Sequence, residues 1–239
     1  MLQSIHDLHG FTIHAEDGEI GKMRDLYFDD GRWIVRYVVV DTGKWLPGRQ
    51  VLISPASVKG VDWFGRTIPV TLTRDQVRNS PDVLTHQPVS RQHEADLSAY
   101  YGWPSYWTMD PFAFEPAPVL PLPPGEPPAV KGDPHLRSAH EVKGYHIGAL
   151  DGPIGHVSDF VFDDTSWQIA FLIVGAGSWL HQRLVLLKPD WISGIAWDER
   201  TVAVNLSREA VGTSPLFTPV FPISPEYLEQ LMKHYNGKA

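Results

Sequence analysis

The stretch Gly10–Asp41, GFTIHAEDGEIGKMRDLYFDDGRWIVRYVVVD, returns at Gly144–Gly175 as GYHIGALDGPIGHVSDFVFDDTSWQIAFLIVG, an offset of 134 residues. Sliding outward, the match runs without a gap from Ser4 and Ser138 to Tyr101 and Tyr235. A self-match at fixed spacing means that one folding unit is present twice. The chain of 239 residues therefore divides into a first domain over 1–102, a connector over 103–136 and a second domain over 137–239. Each domain is large enough for a core of its own.

Within each copy the elements read as short strands. Ile20–Asp30 and its counterpart form a strand of imperfect alternation, entered through Asp17-Gly18 and left through Asp29-Asp30-Gly31. The next strand alternates cleanly. Trp33, Val35, Tyr37 and Val39 fall on one face, matched by Trp167, Ile169, Phe171 and Ile173, and this face is expected to point inward. A short strand then stops at Pro55 or Pro189, because proline has no N–H for a ladder. Val58–Trp63 and Thr67–Leu72 are expected to pair as a hairpin around Phe64-Gly65, answered by Asp198-Glu199.

Helix signals close each copy. Thr73 and Gln76 fit a capping box, and in copy two Ser207 can still cap although Ala210 replaces the glutamine. Ser224 and Pro225 open a last helix whose Tyr227, Leu228, Leu231, Met232 and Tyr235 share a stripe. The matching helix after Ser90 has His93, Glu94 and Ser98 in that stripe, and is expected to pack by a narrower strip around Leu97, Tyr100 and Tyr101. The expected fold is mainly β, with two tandem small antiparallel barrels, each ending in short helices and joined by a proline-rich linker. The linker begins with Trp103, Tyr106, Trp107, Phe112 and Phe114, too much aromatic surface to leave in water. Its later part, PAPVLPLPPGEPPAVKGDP, suits an extended spacer.

Bulk properties exclude some partners. A net charge of −8 with scattered basic residues argues against nucleic acid. The opening MLQSIHDLHG has neither the basic nor the apolar region of a signal peptide, and no apolar run is long enough to span a bilayer, so a cytoplasmic location is expected. Peripheral contact with a membrane complex stays open. With no cysteine, thiolate chemistry and disulfides are excluded.

The marks that recur are a lead glycine (Gly10), Asp17-Gly18, Ile20-Gly21, Asp25, Phe28-Asp29-Asp30, the strand Tyr37–Asp41, Arg49–Pro55 and Leu72-Thr73-Arg74. Most stand again at Gly144, Asp151-Gly152, Ile154-Gly155, Asp159, Phe162–Asp164, Arg183–Pro189 and Leu206–Arg208. In this the chain resembles the PRC-barrel family, named for the cytoplasmic domain of the photosynthetic reaction-centre H subunit and found also in a bacterial ribosome-maturation factor. The resemblance implies docking onto a protein assembly and supplies no catalytic residue. The chain departs from the H subunit in having no membrane helix, and from the ribosome factor in lacking its accompanying N-terminal domain.

No nucleophile, nucleotide or metalloprotease motif is present, so no enzymatic activity and no cofactor are expected. The carboxylates Asp25, Asp29, Asp30, Asp159, Asp163 and Asp164 read either as a cation site or, more simply, as turn acceptors. His6, His9 and His14 make a weak metal signal, with only His6 matched, at His140. Arg49 and Arg183 suit an anion or structural ion pairs with Asp25 and Asp159. Trp45-Leu46 and Trp179-Leu180 read as a lid over the barrel end or as a docking point, and with Trp103 and Trp107 they are the candidate partner-binding residues. Two readings follow. One is a non-catalytic interaction or assembly module whose copies pair as an intramolecular pseudo-dimer. The other is a small-molecule, anion or metal-binding protein, with an enzyme not excluded, whose site lies between the repeats.

Overall fold

The structure, a computed structural model, describes residues 1–81, 91–104, 135–177 and 183–237. Copy one runs β1 (Leu2–Ser4), α1 (Ile5–Leu8), β2 (Thr12–Ala15), β3 (Gly18–Asp29), β4 (Ile34–Asp41), β5 (Gln50–Ile53), β6 (Thr67–Pro69), α2 (Arg74–Arg78) and α3 (Arg91–Tyr101). Copy two runs β7 (Leu136–Ser138), α4 (Ala139–Val142), β8 (His146–Ala149), β9 (Gly152–Asp163), β10 (Ile169–Ala176), β11 (Arg183–Leu187), β12 (Ile192–Ala196), β13 (Thr201–Val204), α5 (Arg208–Gly212) and α6 (Pro225–Tyr235).

The class is mainly β, but the sheets are open rather than closed barrels, and they are not wholly antiparallel. One has the order β5-β4-β3-β2-β6 and the other β11-β10-β9-β8-β13-β12. Within them β2 runs parallel to β6 and β8 parallel to β13. After β5 and β11 the prolines start 3₁₀ turns, Pro55–Ser57 and Pro189–Trp191, which carry the chain away from the edge. The expected hairpin forms fully only in copy two, as β12 and β13. In copy one it shrinks to bridges between Val58 and Val70 and between Asp62 and Thr67. Pro69, where copy two has Ala203, withholds the N–H that a longer ladder would use.

The imperfect alternation of β3 has a physical cause. A bulge at Arg24 separates the pairs Met23–Val40 and Asp25–Val39, and a second at Arg36 separates Tyr27–Tyr37 from Phe28–Val35. Copy two repeats both, at Ser158 and Ala170. Each bulge shifts the alternation of its own strand by one residue, so in β3 the bulge at Arg24 passes burial from Met23 to Leu26 and Phe28. The four inward residues of the second strand are all buried, yet they do not share one face. Val35 sits opposite Phe28, which packs on Trp33 and Phe160, whereas Tyr37 sits opposite Tyr27 and reaches α3. Trp33 and Trp167 precede their strands, in turns with φ of 54° and 60°.

The two sheets exchange strands. β1 of copy one pairs with β9 of copy two, and β7 of copy two pairs with β3 of copy one. Between these pairings, the Val35 N–H donates to the Trp167 carbonyl at 2.9 Å and the Ile169 N–H to the Trp33 carbonyl at 2.7 Å. Ile34 and Gln168, themselves equivalent, form the bridge at the centre. One apolar cluster runs through both copies.

The helices carry the expected caps: Thr73 and Gln76 form a reciprocal box, Ser207 accepts from the Ala210 N–H, and Ser224 from the Tyr227 N–H. The narrow strip expected on α3 is used in part, through Leu97 and the half-buried Tyr101. Tyr100 is exposed, while Glu94, Leu97 and Ser98 are buried, the same stripe as in α6 despite its polar members. Among the described residues no helix is long and apolar enough to cross a membrane.

Candidate functional site

The seam gathers the residues that the repeat marks most strongly. The Ser138 hydroxyl donates to Asp25 Oδ2 at 2.5 Å, and Ser4 to Asp159 Oδ2 at 2.5 Å. The other acceptor work of each carboxylate is local or also crosses the seam. Asp25 Oδ1 receives the N–H groups of Leu26 and His140 at 2.8 and 3.1 Å, and the His6 N–H lies 3.4 Å from Asp159 Oδ2. Burial pushes both carboxyls above their ordinary range, and the serine hydroxyls offset part of that rise.

The ion pairs expected between Asp25 and Arg49 and between Asp159 and Arg183 do not form. Arg49 donates instead to the carbonyls of Arg78 and Ser80, each at 2.5 Å, and Arg183 to those of Gly212 and Ser214 at 2.9 and 3.4 Å. These carbonyls lie at the ends of α2 and α5, where helix geometry leaves acceptors without donors. The arginines thus close helix termini, and the aspartates join the copies.

The remaining carboxylates are divided in the same way. Asp29 Oδ1 receives the N–H groups of Gly31 and Arg32, both at 3.0 Å, and Asp163 those of Thr165 and Ser166, both at 2.9 Å. Asp30 binds His135 at the end of the connector and Arg137 of copy two, and Asp164 binds the N-terminus and the Trp63 indole from copy one. Between the repeats Asp25, Asp159, His6, His9 and His140 line a pocket of about 50 Å³, too small for an organic ligand. A wider, open cleft of about 630 Å³ crosses the seam between Asp30 and Trp33 on one side and Arg137 and Trp197 on the other. Among the described residues no group of three or more His, Asp or Glu is placed to hold a metal.

Two pairs of repeat marks prove to be single contacts. A Cβ on Gly21 would lie 2.1 Å from the Asp41 carbonyl oxygen, and one on Gly155 would lie 1.9 Å from that of Gly175. Only glycine lets the long strand cross the second so closely. Likewise Asp17 accepts the Arg74 N–H, and Asp151 the Arg208 N–H, both at 2.7 Å. The arginine Cδ passes within ordinary contact of Gly18 and Gly152, and the φ of 140° and 134° at these positions is what calls for glycine, so the Asp-Gly turn is the seat of the arginine that opens the short helix.

Of the candidate docking residues, Trp103 is buried, its indole N–H on Ser57 Oγ at 2.6 Å and its ring stacked on Tyr101. It holds its own domain together. Trp45 is half-buried beneath the Arg74 guanidinium, 4.7 Å from its ring, and Leu46 is half-buried beside it. Trp107, Trp179 and Leu180 lie outside the described residues, as does the proline-rich part of the connector.

The residue that sequence reasoning passed over is Phe64, whose side chain is fully exposed. Its turn is pinned on both sides. The Trp63 indole donates to Asp164 of the other copy at 2.8 Å and its ring meets Phe11 and Phe162. Asp62 receives the Gly65 N–H at 2.8 Å, and Arg66 stacks on Phe11. The difference between Phe64-Gly65 and Asp198-Glu199 in an otherwise matched turn was the available signal. Among curated proteins none matches the chain. Residues 3–77, from β1 to α2, match the family model described as the PRC-barrel domain.

Proposed function

We propose that the protein is a non-catalytic tandem PRC-barrel module that docks a protein partner, with residues 137–239 as its second domain of that kind. The two repeats act as one pseudo-dimeric body, since each lends its first strand to the sheet of the other. A domain of this family commonly serves in protein interaction or assembly, and that background supports the reading. The observation that carries it is Phe64. A fully exposed aromatic ring on a turn clamped by Trp63, Asp62 and Arg66 offers a rigid apolar anchor, which binds at little cost in conformational entropy.

The partner is expected to present an apolar pocket to this ring. Capture from the native host with the full-length protein and with Phe64→Asp, which copies the residue of the second repeat, tests the reading. A protein retained by the wild type and lost with Phe64→Asp supports it. Equal recovery by both sinks the role given to Phe64.

A further inference from the structure

A pocket of about 460 Å³ opens beside the start of α2, lined by Glu19, Lys22, Asp41, Thr42, Lys44, Trp45 and Arg74 among others. Its volume is that of a small-molecule site. The charges around it are left in an unusual state. Arg78, which also leans over Trp45, is paired with Asp75 at 2.8 Å. Arg74 has no such partner among the described residues, and its Nε is buried without an acceptor. The indole Nε1 of Trp45, under that guanidinium, is buried and unpaired as well. Lys22 stands opposite Asp41 in the ladder, yet no ion pair joins them, and Asp41 Oδ1 accepts the Gly43 N–H at 2.9 Å.

Three cations thus meet at one concave site of a chain whose net charge is −8. Asp17 holds the backbone N–H of Arg74, the side chain then passes over Gly18, and the guanidinium lies on the Trp45 ring. An arginine held in this way loses little freedom when its fork meets an oxyanion. The second repeat supplies a built-in contrast. It keeps the seat, with Arg208 on Asp151, but has His156 and Ser178 where copy one has Lys22 and Lys44.

We propose that this pocket binds a small phosphomonoester, its phosphate held by Arg74, Lys22 and Lys44. Glu19 and Asp41 on the same rim disfavour an extended polyanion, whose further charges they would repel, and they can accept hydroxyl donors from the organic part of a compact ligand.

Calorimetric titration of the full-length protein with inorganic phosphate, ribose 5-phosphate, ribose and phosphatidic acid vesicles tests this. Ribose 5-phosphate is expected to bind more tightly than inorganic phosphate, and ribose not at all. Lys22→Glu with Lys44→Glu, both exposed positions that leave the core alone, should weaken binding about tenfold or more. Arg208→Ala should change nothing. Equal affinity in the lysine variant, equal damage from Arg208→Ala, or binding to the vesicles alone would each overturn the proposal.

Discussion

The last helices of the two repeats occupy the same place on their sheets with opposite chemistry. In copy two, Leu228, Leu231 and Tyr235 lie on an apolar bed that includes Phe171 and Trp191. In copy one the equivalents of Phe171 and Leu228 are Tyr37 and Glu94, whose buried side chains hydrogen-bond at 3.1 Å. The indole differs as well. Trp191 reaches Tyr235 from the 3₁₀ turn, with ring centroids 4.3 Å apart. In copy one that turn has Ser57, and Trp103 arrives from beyond the helix to stack on Tyr101, again at 4.3 Å. One backbone plan therefore accepts a dry packing and a polar one, provided that the same slot is filled.

If that is right, the two indoles are interchangeable in energy though not in sequence. Trp103→Ala and Trp191→Ala should each cost about 3 to 5 kcal/mol, read from denaturant unfolding of the full chain. A large cost for one and none for the other would break the comparison.

The polar pair gives the next effect in size. Glu94→Leu, which imports the residue of copy two, takes its acceptor from the buried Tyr37 hydroxyl and should cost about 1 to 3 kcal/mol. Adding Tyr37→Phe should restore most of that loss, because both partners are then apolar as in copy two. Failure of the double variant to recover would mean that the surroundings of α3, and not this pair alone, are adapted to the carboxylate.

This contrast also shows what was legible in the sequence. Caps were readable because Thr73, Gln76, Ser207 and Ser224 act on their own next turn. The unequal faces of β4 were not, because the bulges at Arg24 and Arg36 are settled by the partner strand. Asp25 and Arg49 stood out as a pair, but their partners lie 113 and up to 31 residues away in sequence, and opposite charge alone suggested the wrong match. The strand exchange left one trace, the ungapped match that begins at Ser4 and Ser138. Phe64 reads as part of a turn, but whether a turn aromatic is covered or left in water depends on the elements packed around it, which the sequence does not state.

Where the helices differ between copies, the seam carboxylates agree, and they make a prediction about pH. Asp25 and Asp159 both have carboxyls raised above the ordinary 3.8, chiefly by burial. A carboxyl raised on folding binds its proton more tightly in the folded state. The stability it contributes is therefore fully present below the unfolded value and lost as pH rises through the folded one. Stability of the wild type should fall over the acid range just above 3.8, and the paired variant Asp25→Asn with Asp159→Asn should show a flatter profile there. Equal slopes would show that the hydrogen bonds from Ser4 and Ser138 already balance the burial.

The smallest effect separates the copies once more, at the short helix before the last one. In copy one, Gln76 Oε1 receives the Thr73 N–H at 2.8 Å while Thr73 Oγ1 receives the Gln76 N–H at 3.3 Å. Copy two keeps only the second half of this exchange, from Ala210 to Ser207 at 3.1 Å. Gln76→Ala should therefore cost about 0.3 to 1 kcal/mol. The reverse change need not gain that amount. Ala210 is buried and its carbonyl lies 2.7 Å from His234 Nε2 of the last helix, so a glutamine there must displace the contact that docks α6. Ala210→Gln is expected to leave stability unchanged or to lower it, and a gain equal to the loss from Gln76→Ala would show that the two caps are independent of the helices packed above them.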